Sequence, residues 1–122
     1  MQHDLIQGVG RAVLRDGRIV LDIDGAEFWI SIEELSDLIF YSRQCGITVR
    51  RFGNSAESET GRAYISSREY GISFYLFLFR PRKFVCRRLD LAGVAQGKIR
   101  SAEIGEDPTY RQGVRKPAEV RA

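Results

Sequence analysis

The order of elements along the chain predicts an α+β domain built mainly on an antiparallel sheet or partly closed barrel. Three observations carry this: two Asp-Gly hairpin turns in succession, a capped helix directly after the third strand, and a second run of strands ending in another strand-to-helix joint. At 122 residues the chain has the size of one domain, and folding hides roughly two-thirds of its surface. A composition of 43% hydrophobic and 29% charged residues is that of a folded globule that needs no staple.

The first stretch alternates apolar and polar residues through Val13, Ile19, Leu21, Ile23, Phe28 and Ile30, broken at Asp16-Gly17 and Asp24-Gly25. Asp-Gly suits a type I′ turn, whose two central residues both need positive φ. A three-stranded meander over 9–15, 18–23 and 26–31 follows. Ser31 and Glu34 have capping-box spacing, and Ile32, Leu35, Leu38 and Ile39 form one apolar stripe, which predicts a helix over 32–44 ended by Gly46.

Beyond it, 47–52 reads as a strand and 53–61 as a mobile polar loop. The segments 62–67 and 72–79 read as hairpin arms, 83–87 as a further strand and 89–95 as a short second helix. The arm 72–79 is apolar on both faces, so it calls for cover on two sides: a helix on one, and the second helix, a curled sheet or another subunit on the other. A single globular domain over 1–105 is expected, with a disordered tail over 106–122, where apolar periodicity stops.

An internal likeness accompanies this order. Phe28 to Leu38 lies over Phe84 to Val94, each a strand ending in Phe and two apolar residues before an acidic helix start. The reading is a duplicated β-β-β-α unit, with strand 47–52 assigned to the junction. A PH-like barrel is the alternative compatible with the same order of elements.

Charge is unevenly spread: residues 1–60 carry 6 basic and 10 acidic side chains, residues 61–122 carry 13 and 6. Either the basic half binds a partner or the acidic half neutralises it within one fold. The longest uncharged apolar run, 71–79, is half the length of a membrane-crossing helix, and the chain's start has no signal-peptide pattern. A cytoplasmic protein without membrane association is expected.

Catalysis at neutral pH usually recruits a histidine, an activated thiol, paired carboxylates or a metal. His3 is the sole histidine and lies near the start of the chain. Cys45 and Cys86 match no metal-ligand spacing. Cys86 has cations on either side but shares a strand face with Phe84, so burial is expected to keep it inert. Asp22-Ile23-Asp24-Gly25 lacks the later ligands of a calcium loop, and Gly8-Val9-Gly10 lacks the rest of a dinucleotide fingerprint. No cofactor, metal site or catalytic residue is assigned. A site assembled between subunits around Asp22, Asp24 and Glu27 is the enzymatic alternative.

The most suggestive segment is 80–88, with five cations beside aromatic residues. Arginine forks hold phosphates and exposed rings stack bases, so Arg80, Arg82, Lys83, Arg87 and Arg88, with Arg50, Arg62, Tyr64 and Tyr75 on neighbouring strands, form a candidate basic and aromatic face. Against it stands the expectation that the rings pack inward. The leading expectation is a non-catalytic protein-interaction module, a homodimer or the binder of another protein. The alternative is single-stranded DNA or RNA binding through that face.

Overall fold

The computed structural model describes residues 7–41, 46–53, 59–66, 71–77, 80–108 and 110. Both Asp-Gly pairs take positive φ at both residues (Asp16 53°, Gly17 75°; Asp24 53°, Gly25 84°), the condition for a turn whose twist matches its flanking strands. They join β1 (Gln7–Arg15), β2 (Arg18–Ile23) and β3 (Ala26–Ser31). Ser31 Oγ then accepts the Glu34 backbone N–H at 3.2 Å and starts α1 (Ile32–Tyr41).

After β4 (Ile47–Arg51) come β5 (Glu59–Ser66), β6 (Gly71–Leu76) and β7 (Arg82–Arg87), then α2 (Arg88–Ala95) and β8 (Ser101–Glu106). The eight strands pair antiparallel in sequence order, and β1 pairs β8, so the sheet is a closed barrel. It is mostly strand, and nothing in the strand order singles out a PH-like barrel.

Two sequence expectations change here. The polar segment 53–61 contributes its last residues to β5, because Thr60 and Gly61 lie on a strand that pairs with both β4 and β6. The segment 101–106, which carried no predicted element, is β8. The strand at 47–51 is therefore no junction: it follows α1 as β8 follows α2, and the chain runs β-β-β-α-β twice. The predicted tail begins inside the barrel, since Glu106 closes β8 and the Asp107 N–H donates to the Lys83 carbonyl at 3.0 Å. Its residues 109 and 111–122 lie outside the described residues.

Strand directions alternate around such a barrel, so the ends of β3 and β7 reach the same mouth. Both helices sit there in contact with each other, and Leu35, Leu38, Leu91 and Val94 plug it with fully buried side chains. Inward-facing Ile19, Leu21, Phe28, Phe74 and Phe84 fill the interior. An eight-stranded barrel is just wide enough to be filled this way.

Within β6 the closed sheet covers the inner face of the apolar arm 72–79, and neighbouring rings cover much of the outer one. Ile72, Phe74 and Leu76 enter the core, while on the outside Ser73 is buried and Tyr75 packs edge-on between Tyr64 and Tyr110 at 5.8 and 5.5 Å. Phe77, just past the strand, is 55% exposed; residues 78 and 79 lie outside the described residues. Among the described residues no helix is long and apolar enough to cross a membrane.

The mouth away from the helices is closed by charge. Arg82 occupies an inward-facing position over the Phe84 ring, with Nε and Nη2 on the two Glu106 carboxylate oxygens at 3.0 and 2.8 Å and Nη2 on Asp24 Oδ2 at 2.6 Å. Glu106 is only 8% exposed, so removing Arg82 would leave a shielded carboxylate without its counter-ion. Arg82→Ala is expected to lower stability by about 2–4 kcal/mol. Asp24→Asn, at a half-exposed pair, is expected to lower it by less than about 1 kcal/mol. Urea unfolding of the two variants measures the contrast.

Candidate functional site

The nine residues proposed from sequence as one basic and aromatic face are spread over the barrel. Arg62, Tyr64, Tyr75 and Lys83 share the outside of β5 to β7; Lys83 Nζ lies 5.8 Å from the Tyr75 ring centre and 3.8 Å from Asp107 Oδ2, and Arg62 Nη2 donates to the Gly46 carbonyl at 3.1 Å. Arg82 points inward and is consumed by Glu106 and Asp24. Arg80 is exposed at that same mouth, whereas Arg87 and Arg88 stand at the other, where β7 becomes α2. Arg50 faces outward from β4 toward Trp29.

Of the carboxylates considered for an interface enzyme, Asp22 and Glu27 face each other across β2 and β3, and Asp24 lies in the turn that joins those strands. Their charges are committed differently: Asp24 serves Arg82, Glu27 is held by Arg15 Nη2 and Nη1 at 2.8 and 3.1 Å, and Asp22 stands exposed on β2. Hydrogen bonding from Arg15 holds the Glu27 carboxyl below the usual range. Among the described residues no three His, Cys, Asp or Glu side chains are grouped to hold a metal; His3 and Cys45 lie outside those residues.

A different cluster assembles on the exterior of the first four strands. Cross-strand pairing sets Trp29 beside Val20 on β2 and Arg50 on β4. The Arg18 guanidinium lies 4.1 Å from the Trp29 ring centre and that of Arg50 5.1 Å. Phe52 lies 6.3 Å from Trp29, with Arg15 and Arg18 at 5.6 and 5.8 Å from its ring. The rings supply negative faces for the cations, and the whole group shields Val20, which is 1% exposed despite its outward position.

Arg15 is neutralised by Glu27. Arg50 is drawn toward Glu34 without bonding it, at 3.8 Å, and Glu34 Oε1 is shielded and has no hydrogen-bond partner. Arg18 is exposed and forms no ion pair with a described residue. The cluster therefore presents guanidinium groups placed over aromatic rings, with at least one still able to engage a carboxylate or phosphate.

The matching face of the other half makes this cluster conspicuous. The β2–β3 and β6–β7 hairpins share one register, which places Val85 where Trp29 stands, Gly71 where Arg18 stands and Ser73 where Val20 stands. By the same pairing Gly105 answers Arg50 and Ser66 answers Arg15. At these positions one backbone carries cations and a tryptophan in one half and valine, glycine and serine in the other, so the framework does not require the cluster. Sequence reasoning missed it because its members are scattered over 15–52 without a local run; the sole tryptophan, flanked by strand residues, was the available signal.

Cys86 is 1% exposed, and burial pushes its thiol from an ordinary value of 9.0 up to about 12. The buried thiol is thus protonated at neutral pH. Folding favours that neutral form, so its contribution to stability is complete below pH 9 and fades as pH rises toward 12. With native protein at pH 8, iodoacetamide is expected to leave the Cys86 peptide unmodified by mass spectrometry, and to label it once the chain is unfolded in guanidinium.

No family model matches the chain, and neither the search of curated proteins nor that of solved structures finds a match.

Proposed function

We propose that this protein is a non-catalytic interaction module that docks a carboxylate-bearing segment of a protein partner on the exterior of β1 to β4. The observation that carries the reading is Trp29 lying beneath Arg18 and Arg50 next to Phe52, where the counterparts of Trp29, Arg18 and Arg50 in the other half are Val85, Gly71 and Gly105. Tryptophan and arginine dominate the energetics of protein interfaces because each buries a large flat surface and keeps polar reach at its rim. Arginine also takes carboxylates with two parallel hydrogen bonds. The filled interior supports the reading too, since a small molecule would have to displace core side chains to enter.

Single-stranded nucleic acid is the competing ligand. Against it, both guanidinium groups already cover the Trp29 ring on which a base would stack, and Arg82 and Lys83 are engaged by Glu106 and Asp107. Because Trp29 is the only tryptophan, selectively excited tryptophan emission reports on this face alone.

The test titrates the full chain with a synthetic peptide rich in Glu and Asp and, in parallel, with an oligodeoxythymidylate. The peptide is expected to shift Trp29 emission saturably and less strongly as salt is added, and Arg18→Ala and Arg50→Ala are each expected to weaken it roughly tenfold. An emission spectrum indifferent to the peptide would overturn the reading. Preferential response to the oligonucleotide would replace it with nucleic-acid binding.

A further inference from the structure

The two β-β-β-α-β halves agree far beyond their order of elements. Their pairing registers align Gly10-Arg11-Ala12-Val13-Leu14 of β1 with Gly61-Arg62-Ala63-Tyr64-Ile65 of β5, residue for residue. The first three residues are identical and the fifth is a conservative exchange. The core obeys the same correspondence: Ile19 answers Ile72, Leu21 answers Phe74 and Phe28 answers Phe84. All twenty residues of the buried cluster fall into ten such pairs, ten residues from each half.

Irregular features repeat as well. A one-residue bulge interrupts the β1–β8 seam between Gly8 and Gly10, and another interrupts the β4–β5 seam opposite Thr60. The carbonyls of the bulged residues, Val9 and Thr60, accept the N–H groups of the corresponding residues Asp24 and Phe77. A Cβ on Gly10 would meet the Asp22 carbonyl oxygen at 2.0 Å, and one on Gly61 the Tyr75 carbonyl oxygen at 2.2 Å, Asp22 and Tyr75 being counterparts in the two hairpins. Bulges and close-approach glycines are idiosyncratic solutions, and two seams have no physical need to share them.

We infer that the chain is a tandem duplication of one half-barrel unit, and that the partner for which each unit's exposed edges are shaped is a second copy of that unit. The seams β1–β8 and β4–β5 are then the two equivalent halves of a twofold interface, now joined covalently. This explains why a unit of four strands and one helix persists: alone it would expose an apolar face and two unpaired edges, and its duplicate covers both.

Two measurements on the full chain test it. A circular permutant opened between Ser55 and Ala56 and joined from Ala122 to Met1 reverses the order of the units; it is expected to unfold in one cooperative transition with the far-UV spectrum of the parent and to sediment as the same species. Gly10→Ala and Gly61→Ala are expected to lower the urea midpoint by similar amounts, roughly 1–2 M each. Gly8→Ala, whose Cβ meets only the movable end of the Glu103 side chain, is expected to change it far less. Failure of both glycine variants to fold counts as the matched response. A permutant without cooperative unfolding, or one seam glycine tolerating alanine while the other does not, would overturn the inference.

Discussion

The interior of an eight-stranded barrel must be filled by its own side chains, and this constraint organises the molecule. Every strand commits alternate residues to the inside, and the two helices lend Leu35, Leu38, Leu91 and Val94 to stop the mouth above them. Aliphatic residues and three phenylalanines carry the packing, with Phe28, Phe74 and Phe84 the largest fully buried side chains. Neither α1 nor α2 reaches the opposite mouth, and inward-facing positions there pass to Arg82 and Glu106, whose mutual neutralisation makes charge tolerable at the rim. With the inside occupied by core side chains, the recognition proposed above falls to the exterior.

The elements legible in the sequence were those with strong local chemistry. Asp16-Gly17 and Asp24-Gly25 fixed the first three strands to within two residues, and Ser31 with the Ile32, Leu35, Leu38 stripe fixed the start of α1. β8 was illegible because Ser101, Ala102, Glu103, Ile104, Gly105 and Glu106 hold one large apolar residue among small and charged ones; its strand state comes from pairing with β1 and β7 on both sides, a tertiary effect. The first residues of β5 hid in the same way behind Thr60 and Gly61, where glycine reads as a breaker but is required by the close approach of β6. Partial sight of the repeat had the same cause: the Phe28 and Phe84 joints could be aligned, yet the fourth strand of the second unit had no signature.

The candidate site was less legible than the fold. Runs of charge draw attention, and the run at 80–88 proved to be divided between two mouths because alternate residues of β7 face opposite ways and its ends lie far apart. Arg15, Arg18, Trp29, Arg50 and Phe52 are brought together only by the lateral order of the strands. Such a cluster is a product of register: a one-residue slip of β2 against β3 would turn Val20 inward and dissolve it. The arrangement of this surface is thus inherited from the same cross-strand pairing that fills the core.

Closure of the sheet has one more consequence. Each described strand has a neighbour on either side, so none of them is a free edge strand of the kind on which another chain adds in recognition or in fibril growth.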